Sequence, residues 1–315
     1  MSFLQSSPIH VPKPPQKTQV LITGASRGIG RVTALELAKR GYNLTLVVRD
    51  RSRGEKVVKE ARRSGAESAI ELIVGDLSRM GDVVRIANEF LSAHDSLDIL
   101  INNAGAIFQT RGLTVDGFEQ TFATNHLSYF LLTRLLEPAL EKAAPSRVVV
   151  VASNAHRWST IKWDDLTYEK SYSAFGAYAA SKLANVLFTR ELARRLETKG
   201  VTVNSVHPGY VATNFGRDNS LFASVFARMG QVFAISEEKG AKTSLFLATH
   251  ESVAGVTGKY FSKCREEAPN KHGQSEVDAA RLWRLTEQLL APWLGTSRDA
   301  GGGGECVRVL DARAL

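Results

Sequence analysis

Residues 23–30 read TGASRGIG, and they join the apolar run VLIT to a helical pattern that begins near residue 29. In such a turn, Gly24 permits a sharp bend, Gly28 lets backbone amides approach a pyrophosphate, and Gly30 allows tight packing of helix on strand. The helix then directs its unpaired N–H groups at the anion. A glycine triplet alone is weak evidence, but its place between a strand and a helix favours a nucleotide-binding turn over a purely structural one.

Outward from this turn, short apolar runs alternate with longer helical patterns. Strands are predicted at 19–23, 43–48, 70–74, 97–101, 147–152, 201–206 and 259–262. Helices are predicted at 29–40, 54–64, 80–94, 118–143, 175–198, 237–249 and 275–290. Runs such as DILI and VVVVA are continuously apolar, as in parallel strands covered on both faces. The alternation predicts an α/β fold, a single doubly wound Rossmann-type domain with a seven-stranded, mainly parallel sheet.

Composition indicates the domain organisation and the compartment. The 315 residues are 43% hydrophobic and 23% charged, which is typical of a soluble globular domain. We expect an extended, proline-rich lead-in at 1–16, one folded domain at 17–292 and a flexible, glycine-rich tail at 293–315. Two cysteines suit a reducing compartment, and we see neither a membrane-spanning apolar run nor a secretory signal. A cytoplasmic protein is therefore expected, with peripheral membrane association left open.

The formal net charge is +8, from 40 Lys and Arg against 32 Asp and Glu, which raises the question of a polyanionic partner. Runs such as KEARRSG and RELARRLETK interleave the basic residues with acids, as on solvated helix faces. We therefore expect no nucleic-acid partner and interpret the excess as a surface that tolerates anionic ligands.

The residues after the second predicted strand bear on which dinucleotide binds. An acid at this position hydrogen-bonds the ribose hydroxyls of NAD, whereas arginine accommodates the 2′-phosphate of NADP. Arg49 ends the strand, Arg27 lies within the glycine turn, and two guanidinium groups can converge on one phosphate. Asp50 keeps open the alternative of a bond to a ribose 2′-hydroxyl. The pattern favours NADP(H).

Two further strand ends carry polar residues at the edge where open α/β sheets bind ligands. Asp76 follows the third predicted strand, where it is placed to bind an adenine amino group, and Asn103 lies in NNAG after the fourth. For both residues a plain strand-end turn is the alternative.

The spacing of Tyr178 and Lys182 in YAASK places both side chains on one face of the helix predicted at 175–198. A free tyrosine, with a pKa of ~10, is a poor acid–base catalyst near neutrality. A nearby ammonium group favours the phenolate and lowers that pKa, so the pair suits proton transfer. Lys182 can also donate to the ribose hydroxyls of a nicotinamide cofactor. The alternative is a chance pair on a helix surface.

Two polar residues complete this constellation. Ser153 follows the fifth predicted strand, where its hydroxyl can orient a substrate carbonyl or alcohol. Asn125 lies within the apolar helix predicted at 118–143, and we expect it to hold a water that links Lys182 to solvent. Each of these residues falls at the appropriate element, which makes coincidence improbable.

These motifs resemble those of the short-chain dehydrogenase/reductase family. The resemblance rests on TGASRGIG, NNAG, the serine after strand five, YAASK and HPG, and it covers about residues 18–290. It implies a catalytic tetrad of Asn125, Ser153, Tyr178 and Lys182. With the residues discussed above, it gives these contacts to NADP(H): Gly24, Ser26, Arg27, Gly28, Ile29, Gly30, Arg49, Asp76, Leu77, Asn103, Ala104, Gly105, Tyr178, Lys182, Pro208, Gly209, Val211 and Thr213.

Within that family the chain is similar to the retinol-dehydrogenase-like branch, through NHLSYFLLT, SNAHRW, SKLANVLFTRELARRL, HPGYVATNFGR and GKYFSKC. This likeness implies an NADP(H)-dependent oxidoreductase that interconverts an alcohol and its aldehyde or ketone, with a lipophilic, retinoid-like substrate. Two alternatives stay open: an enzyme like protochlorophyllide reductase, which shares the Tyr/Lys pair, and a catalytically silent NADP(H)-sensing or scaffold protein.

Two segments are expected to wall the substrate side of this site. The loop at 154–174 carries Trp158, Trp163, Tyr168 and Tyr172. The segment at 210–234 carries the apolar side chains Tyr210, Phe215, Phe222, Phe226, Met229 and Phe233. Such linings suit a hydrophobic carbonyl compound, although at least half of these residues are expected to pack as core or lid.

We interpret His126, His156 and His207 as structural, because none has a carboxylate or cysteine at metal-ligand spacing, and no metal is expected. A homodimer formed through the long helices predicted at 118–143 and 175–198 is left open.

Overall fold

In the computed structural model, which describes residues 18–209 and 236–295, the apolar runs lie side by side in one eight-stranded sheet. The strands are β1 (Gln19–Thr23), β2 (Asn43–Val48), β3 (Ile70–Val74), β4 (Ile99–Asn102), β5 (Ser146–Val151), β6 (Val201–His207), β7 (Tyr260–Ser262) and β8 (Arg265–Glu267). Their order is β3-β2-β1-β4-β5-β6-β7-β8, and every neighbouring pair but the last is parallel. The direction of winding reverses between β1 and β4, which opens a crevice at the carboxyl ends of these strands. The predicted Rossmann-type fold is confirmed.

The sheet has one strand more than predicted, because β8 carries no apolar signal. Its sequence is REE, and it pairs antiparallel with β7 at the edge of the sheet. This pairing depends on a two-residue turn in which Lys263 and Cys264 both have left-handed φ angles, 51° and 59°. Such turns usually contain glycine or asparagine, so residue types alone indicated neither the turn nor its second strand.

Most helices lie within a few residues of their predicted bounds at both ends. They are α1 (Gly28–Lys39), α2 (Arg51–Arg63), α3 (Met80–Ala93), α4 (Gln120–Phe122), α5 (Ser128–Lys142), α6 (Ala174–Arg195), α7 (Glu237–Thr249) and α8 (Glu276–Leu294). α2 begins before residue 54 because the Asp50 carboxylate accepts from the Arg53 N–H at 3.1 Å and caps the first turn. The helix predicted at 118–143 is divided by a π turn, Ala123–Leu127, between α4 and α5.

Apolar side chains cover both faces of the sheet. Along β1, Leu21 packs with side chains of α3, α5, α6 and α8, whereas Val20 and Ile22 pack with those of α1, α2 and α7. All three are fully buried. This two-sided burial explains why the strands read as continuous apolar runs.

The C-terminal helix α8 covers a face shared by α5 and α6. Its Trp283 is 2% exposed, and the ring centroid lies 4.6 Å from that of Phe130 and 6.0 Å from that of Phe188. The guanidinium groups of Arg134 and Arg195 lie 5.5 and 4.3 Å from the Trp283 centroid. The homodimer stays a prediction, and this part of the α5–α6 face is occupied by the chain's own helix.

None of the helices in residues 18–209 and 236–295 combines the length and apolar character needed to cross a membrane. The last of them, α8, ends at Leu294, shortly beyond the expected domain boundary, and its Trp293 ring lies 5.9 Å from that of Phe118. The predicted lead-in and most of the predicted tail lie outside the described residues.

Candidate active site

The glycine turn has the geometry that its sequence predicts. Gly24 and Gly28 have φ angles of 69° and 58°, a region that residues with a Cβ rarely adopt. A Cβ on Gly24 would lie 2.8 Å from the Ala104 Cα, and one on Gly30 would lie 2.4 Å from the Gly24 carbonyl oxygen. These glycines therefore let the ends of β1, β4 and α1 meet at one point.

The amino terminus of α1 fits an anionic group such as a pyrophosphate. Its N-cap residue, Arg27, makes no side-chain capping bond, and the first turn contains no acid. The first N–H groups of a helix have no partner within the helix, and they carry partial positive charge. The chain thus leaves this end of α1 to a ligand.

Two arginines near this helix are free of carboxylate partners. Arg27 and Arg49 are exposed, and neither forms an ion pair with an acid in the described part of the chain. Asp50, by contrast, is already occupied, since its carboxylate caps α2 and lies 3.3 Å from Arg53 Nε. Both guanidinium groups are thus exposed while the carboxylate of Asp50 is engaged, and the preference for NADP(H) stays a prediction.

Asp76 forms the turn that follows β3. Its carboxylate accepts from the N–H and the hydroxyl of Ser78, both at 2.9 Å, and its own N–H donates to Asp82 at 2.8 Å. These contacts match the strand-end alternative, and the adenine role stays a prediction.

Asn103 joins the NNAG segment to the end of β1. Its Nδ2 donates to the Thr23 carbonyl at 2.8 Å, and the Thr23 hydroxyl accepts from the N–H groups of Asn103 and Ala104 at 2.9 and 3.0 Å. Sequence reasoning gave Thr23 no role, although it opens the motif TGASRGIG. Through Thr23 the glycine turn and the NNAG segment form one unit.

Lys182 is buried against the end of β5, beside Tyr178. Both residues lie on α6, and the Lys182 Nζ is 5.7 Å from the Tyr178 ring centroid. Lys182 is 2% exposed and donates to the Val151 carbonyl at 2.9 Å. Burial lowers the pKa of the Lys182 ammonium to about 7, whereas Tyr178 is only half-buried.

Tyr129 is a residue of the site that sequence reasoning missed. Its ring centroid lies 5.8 Å from Lys182 Nζ, and its hydroxyl donates to the Ala104 carbonyl at 2.6 Å. Burial, and then the nearby Tyr178, raises the pKa of Tyr129 well above its usual value, so it is a neutral donor. The sequence feature that could have indicated this residue is a tyrosine within the apolar run NHLSYFLLT.

Asn125 lies in the π turn, and its side chain is fully bonded to protein. Its Oδ1 accepts from the Ala106 N–H at 2.8 Å, and its Nδ2 donates to the Ala106 carbonyl and the Ser181 hydroxyl, both at 2.9 Å. A Cβ placed on Gly105 would lie 3.4 Å from Asn125 Oδ1 and 3.5 Å from Lys182 Nζ. The two side chains therefore converge on Gly105, and the water-holding role of Asn125 stays a prediction.

Ser153 follows β5 and caps a short 3₁₀ turn, Asn154–Trp158. Its Oγ accepts from the Ala155 N–H at 3.1 Å, and the residue is half-buried. Because the hydroxyl acts as an acceptor in this cap, its own proton can be donated to a substrate oxygen.

The three histidines make structural contacts. His156 pairs with the Ser153 carbonyl at 2.7 Å, and His207 accepts from the Asn154 N–H at 3.3 Å. Burial lowers the pKa of His126 and of His207 to about 4, so both are neutral. In the described ranges no group of three or more His, Cys, Asp or Glu residues could hold a metal ion.

The predicted substrate wall is divided between core and surface. Tyr168 is 5% exposed and donates to the Gly176 carbonyl, Trp163 packs on the core, and Trp158 is 65% exposed. Tyr172 donates to the Phe108 carbonyl at 2.7 Å. Only part of this loop is therefore available to line a pocket.

The other predicted contacts lie around the same crevice or outside the described residues. Ser26, Ile29, Pro208 and Gly209 are half-buried, and Leu77 is 5% exposed. Val211, Thr213 and the aromatic segment at 210–234 lie outside the described residues.

The chain is similar to known proteins over most of its length. A family model for short chain dehydrogenases matches residues 18–222. Human retinol dehydrogenase 14 is 43% identical over 288 residues, which cover 86% of this chain and 85% of that protein.

Solved structures extend the comparison to the fold. An uncharacterised protein from Mycobacterium paratuberculosis is 34% identical, with a TM-score of 0.72 and coverage of 88% of this chain and 94% of that one. A protein from Beutenbergia cavernae, assigned as an NAD(P) dependent gluconate 5-dehydrogenase and solved with NADP at low occupancy, is 26% identical. Its TM-score is 0.63, and the match covers 79% of this chain and 95% of that one.

The family match spans the glycine turn, the NNAG segment and the Tyr178–Lys182 pair, and the likeness to retinol dehydrogenases covers most of both chains. The resemblance seen in the sequence motifs is therefore confirmed, and the chain belongs to the short chain dehydrogenase family, as an oxidoreductase with a nucleotide-binding Rossmann-type fold.

Proposed function

We propose that this chain is an NADP(H)-dependent oxidoreductase that interconverts an alcohol and its aldehyde or ketone, with a lipophilic, retinoid-like compound as substrate. The observation that carries the proposal is the buried Lys182 Nζ, 5.7 Å from the Tyr178 ring centroid at the carboxyl end of β5. Human retinol dehydrogenase 14, at 43% identity, supports the substrate class by its name.

Different side chains of the site carry out proton transfer and substrate orientation. Tyr178 passes a proton to or from the substrate oxygen, and the positive charge of Lys182 stabilises its phenolate form. Ser153 donates its hydroxyl proton to the same oxygen and so orients the substrate. Asn125 fixes the Ala106 backbone beside Lys182 through two hydrogen bonds. When bound, a nicotinamide cofactor supplies or accepts the hydride of such a reaction.

The preference for NADP(H) over NAD(H) is supported by the charges at the ends of β1 and β2. Arg27 and Arg49 lack acidic partners in the described residues, while Asp50 caps α2. A 2′-phosphate placed between two guanidinium groups would gain charge-assisted hydrogen bonds that a hydroxyl does not offer.

The decisive experiment measures NADPH oxidation with retinal, a steroid ketone and simple aldehydes. We expect turnover by the unmodified protein with the lipophilic carbonyls, and a loss of roughly 100-fold or more in Tyr178→Phe, which removes only the proton donor. The control is Tyr42→Phe, which removes the same hydroxyl group from a tyrosine that directly precedes β2, at the opposite end of the strands from the site. Near-full turnover by Tyr178→Phe would refute the mechanism.

The same panel separates the two alternatives. Tight NADPH binding without turnover on any carbonyl identifies a sensing or scaffold protein. Reduction that requires light and a chlorophyll precursor identifies a protochlorophyllide-reductase-like enzyme.

A further inference from the structure

A buried amide beside the catalytic lysine has no role in the reaction described above. Asn185 lies one helical turn after Lys182 on α6 and is fully buried. Its Nδ2 donates to the Asn125 carbonyl at 2.9 Å and to the Val151 carbonyl at 3.4 Å. The Val151 oxygen is the same atom that accepts from Lys182 Nζ at 2.9 Å.

The first of these carbonyls belongs to the π turn. The wider turn replaces the ordinary helical bonding pattern, since the Ser128 N–H donates to Ala123, five residues before it. Two carbonyls inside the turn receive side-chain donors, Thr124 from the Ser128 hydroxyl at 2.8 Å and Asn125 from Asn185. Asn185 thus holds the backbone of the residue whose side chain converges with Lys182 on Gly105.

The oxygen of the Asn185 amide is linked through His126 to the helix α8. Its Oδ1 lies 3.3 Å from His126 Nδ1, and His126 Nε2 lies 3.3 Å from the Thr286 hydroxyl on α8. Because the amide nitrogen donates to carbonyls, its oxygen must accept, so neutral His126 donates through Nδ1 and accepts from Thr286 through Nε2. Each hydrogen bond in the series from Thr286 on α8 to Val151 on β5 then has one donor and one acceptor.

We propose that Asn185, oriented by His126 and Thr286, is a positioning residue that holds the carbonyls of Val151 and Asn125 in place around Lys182. The inference rests on the proposed function, in which Lys182 acts on Tyr178. The groups that face Lys182 are the Tyr178 ring from α6, the Tyr129 ring from α5, Asn125 from the π turn and the Val151 carbonyl from β5. Of these, the Val151 carbonyl accepts from Asn185 directly, and the backbone that carries the Asn125 side chain is bonded to Asn185 as well.

The test compares two buried polar residues on the same helix. Asn185→Leu keeps the volume and removes all three hydrogen bonds. Thr189→Val is the control, because the Thr189 hydroxyl is also buried and, within the described residues, bonds only to the Asn185 carbonyl, at 2.8 Å. Asn185→Leu removes three buried hydrogen bonds from α6 and Thr189→Val removes one. A merely structural role therefore predicts a larger loss of stability in Asn185→Leu, but no shift of the pH profile of kcat in either variant.

In Asn185→Leu we expect kcat to fall about tenfold, with the KM of NADPH and of the carbonyl within about twofold of the unmodified enzyme. The apparent pKa of the kcat profile should rise by about half a unit or more, because a loosely held lysine stabilises the phenolate less. Thr189→Val should change neither quantity. Equal kcat and equal pH profiles in the two variants would overturn the proposal.

Two further measurements keep the test decisive. If Asn185→Leu does not fold, Thr286→Val is used instead, because it removes the hydrogen bond between α8 and His126. This variant should lower kcat and shift the pH profile of kcat in the same direction. An unchanged profile in that variant overturns the proposal.

A titration independent of turnover uses lysine labelled with ¹³C at Cε, with the Lys182 resonance assigned through Lys182→Arg. We expect the Lys182 pKa to rise in Asn185→Leu, as the ammonium moves toward solvent, and to stay in place in Thr189→Val. If the unmodified protein reduces none of the carbonyls, the proposed function fails, while the titration still decides whether Asn185 positions Lys182. An unshifted Lys182 pKa in a folded Asn185→Leu variant overturns the inference.

Discussion

The cofactor end and the catalytic end of this crevice consist of different kinds of groups. At the cofactor end, left-handed glycines, an uncapped helix terminus and two exposed arginines lie within or near short motifs. At the catalytic end, Lys182 is surrounded by rings, amides and carbonyls from β5, the π turn, α5 and α6, and all of them but the Tyr178 ring are buried. Backbone shape and surface charge therefore suit anion binding at one end, whereas at the other end a buried polar network surrounds the charge of Lys182.

The largest effect is expected at the buried end, from Lys182→Met. We expect kcat to fall roughly 100-fold or more, because the phenolate of Tyr178 loses its stabilising charge. The same variant should be more stable than the unmodified protein below about pH 7, since the buried ammonium is removed.

The sign of the pH dependence follows from the pKa of Lys182, about 7 in the fold against 10.5 for a free lysine. Between these values the unfolded chain binds more protons than the folded one, so this lysine makes the folded state more stable as pH rises. The stability advantage of Lys182→Met should therefore narrow across that window. Urea unfolding at several pH values checks this, and a constant or widening difference would contradict it.

Much of this division could be foreseen from sequence. The apolar runs of β1 to β6 predicted a core on both faces of the sheet. Of the four residues predicted as a tetrad, Ser153 follows β5 and Tyr178 and Lys182 lie on α6, as expected, whereas Asn125 lies in a π turn and not in a regular helix. The sequence did not reveal the roles of Tyr129 and Asn185, because these depend on contacts between elements that are distant along the chain. Asn185 acquires its role from Asn125, which lies 60 residues earlier, and from the docking of α8. The π turn is equally hidden, because one five-residue turn hardly disturbs the apolar period of a long helix.

An intermediate effect is expected at the exposed end, from Arg49→Asp. Charge reversal there should raise the KM of NADPH about tenfold or more and leave the KM of NADH nearly unchanged, because only the former carries a 2′-phosphate. Lys59→Asp, which reverses an exposed charge further along α2, is the matched control. Steady-state kinetics with both cofactors checks the prediction, and an unaltered preference would show that the arginine does not read the phosphate.

The smallest effect is expected where the two ends meet, at Tyr129. Its hydroxyl holds the Ala104 carbonyl of the NNAG segment, while its ring faces Lys182. Tyr129→Phe should lower the free energy of unfolding by about 1 kcal/mol and raise the KM of NADPH a few-fold, with kcat nearly unchanged, because the ring remains. Tyr129→Leu should lower kcat as well, since it removes the ring from the lysine. If Tyr129→Phe and Tyr129→Leu have the same kinetic parameters, the hydroxyl and the ring of Tyr129 do not have separate roles, and this residue does not connect the cofactor end with the catalytic end.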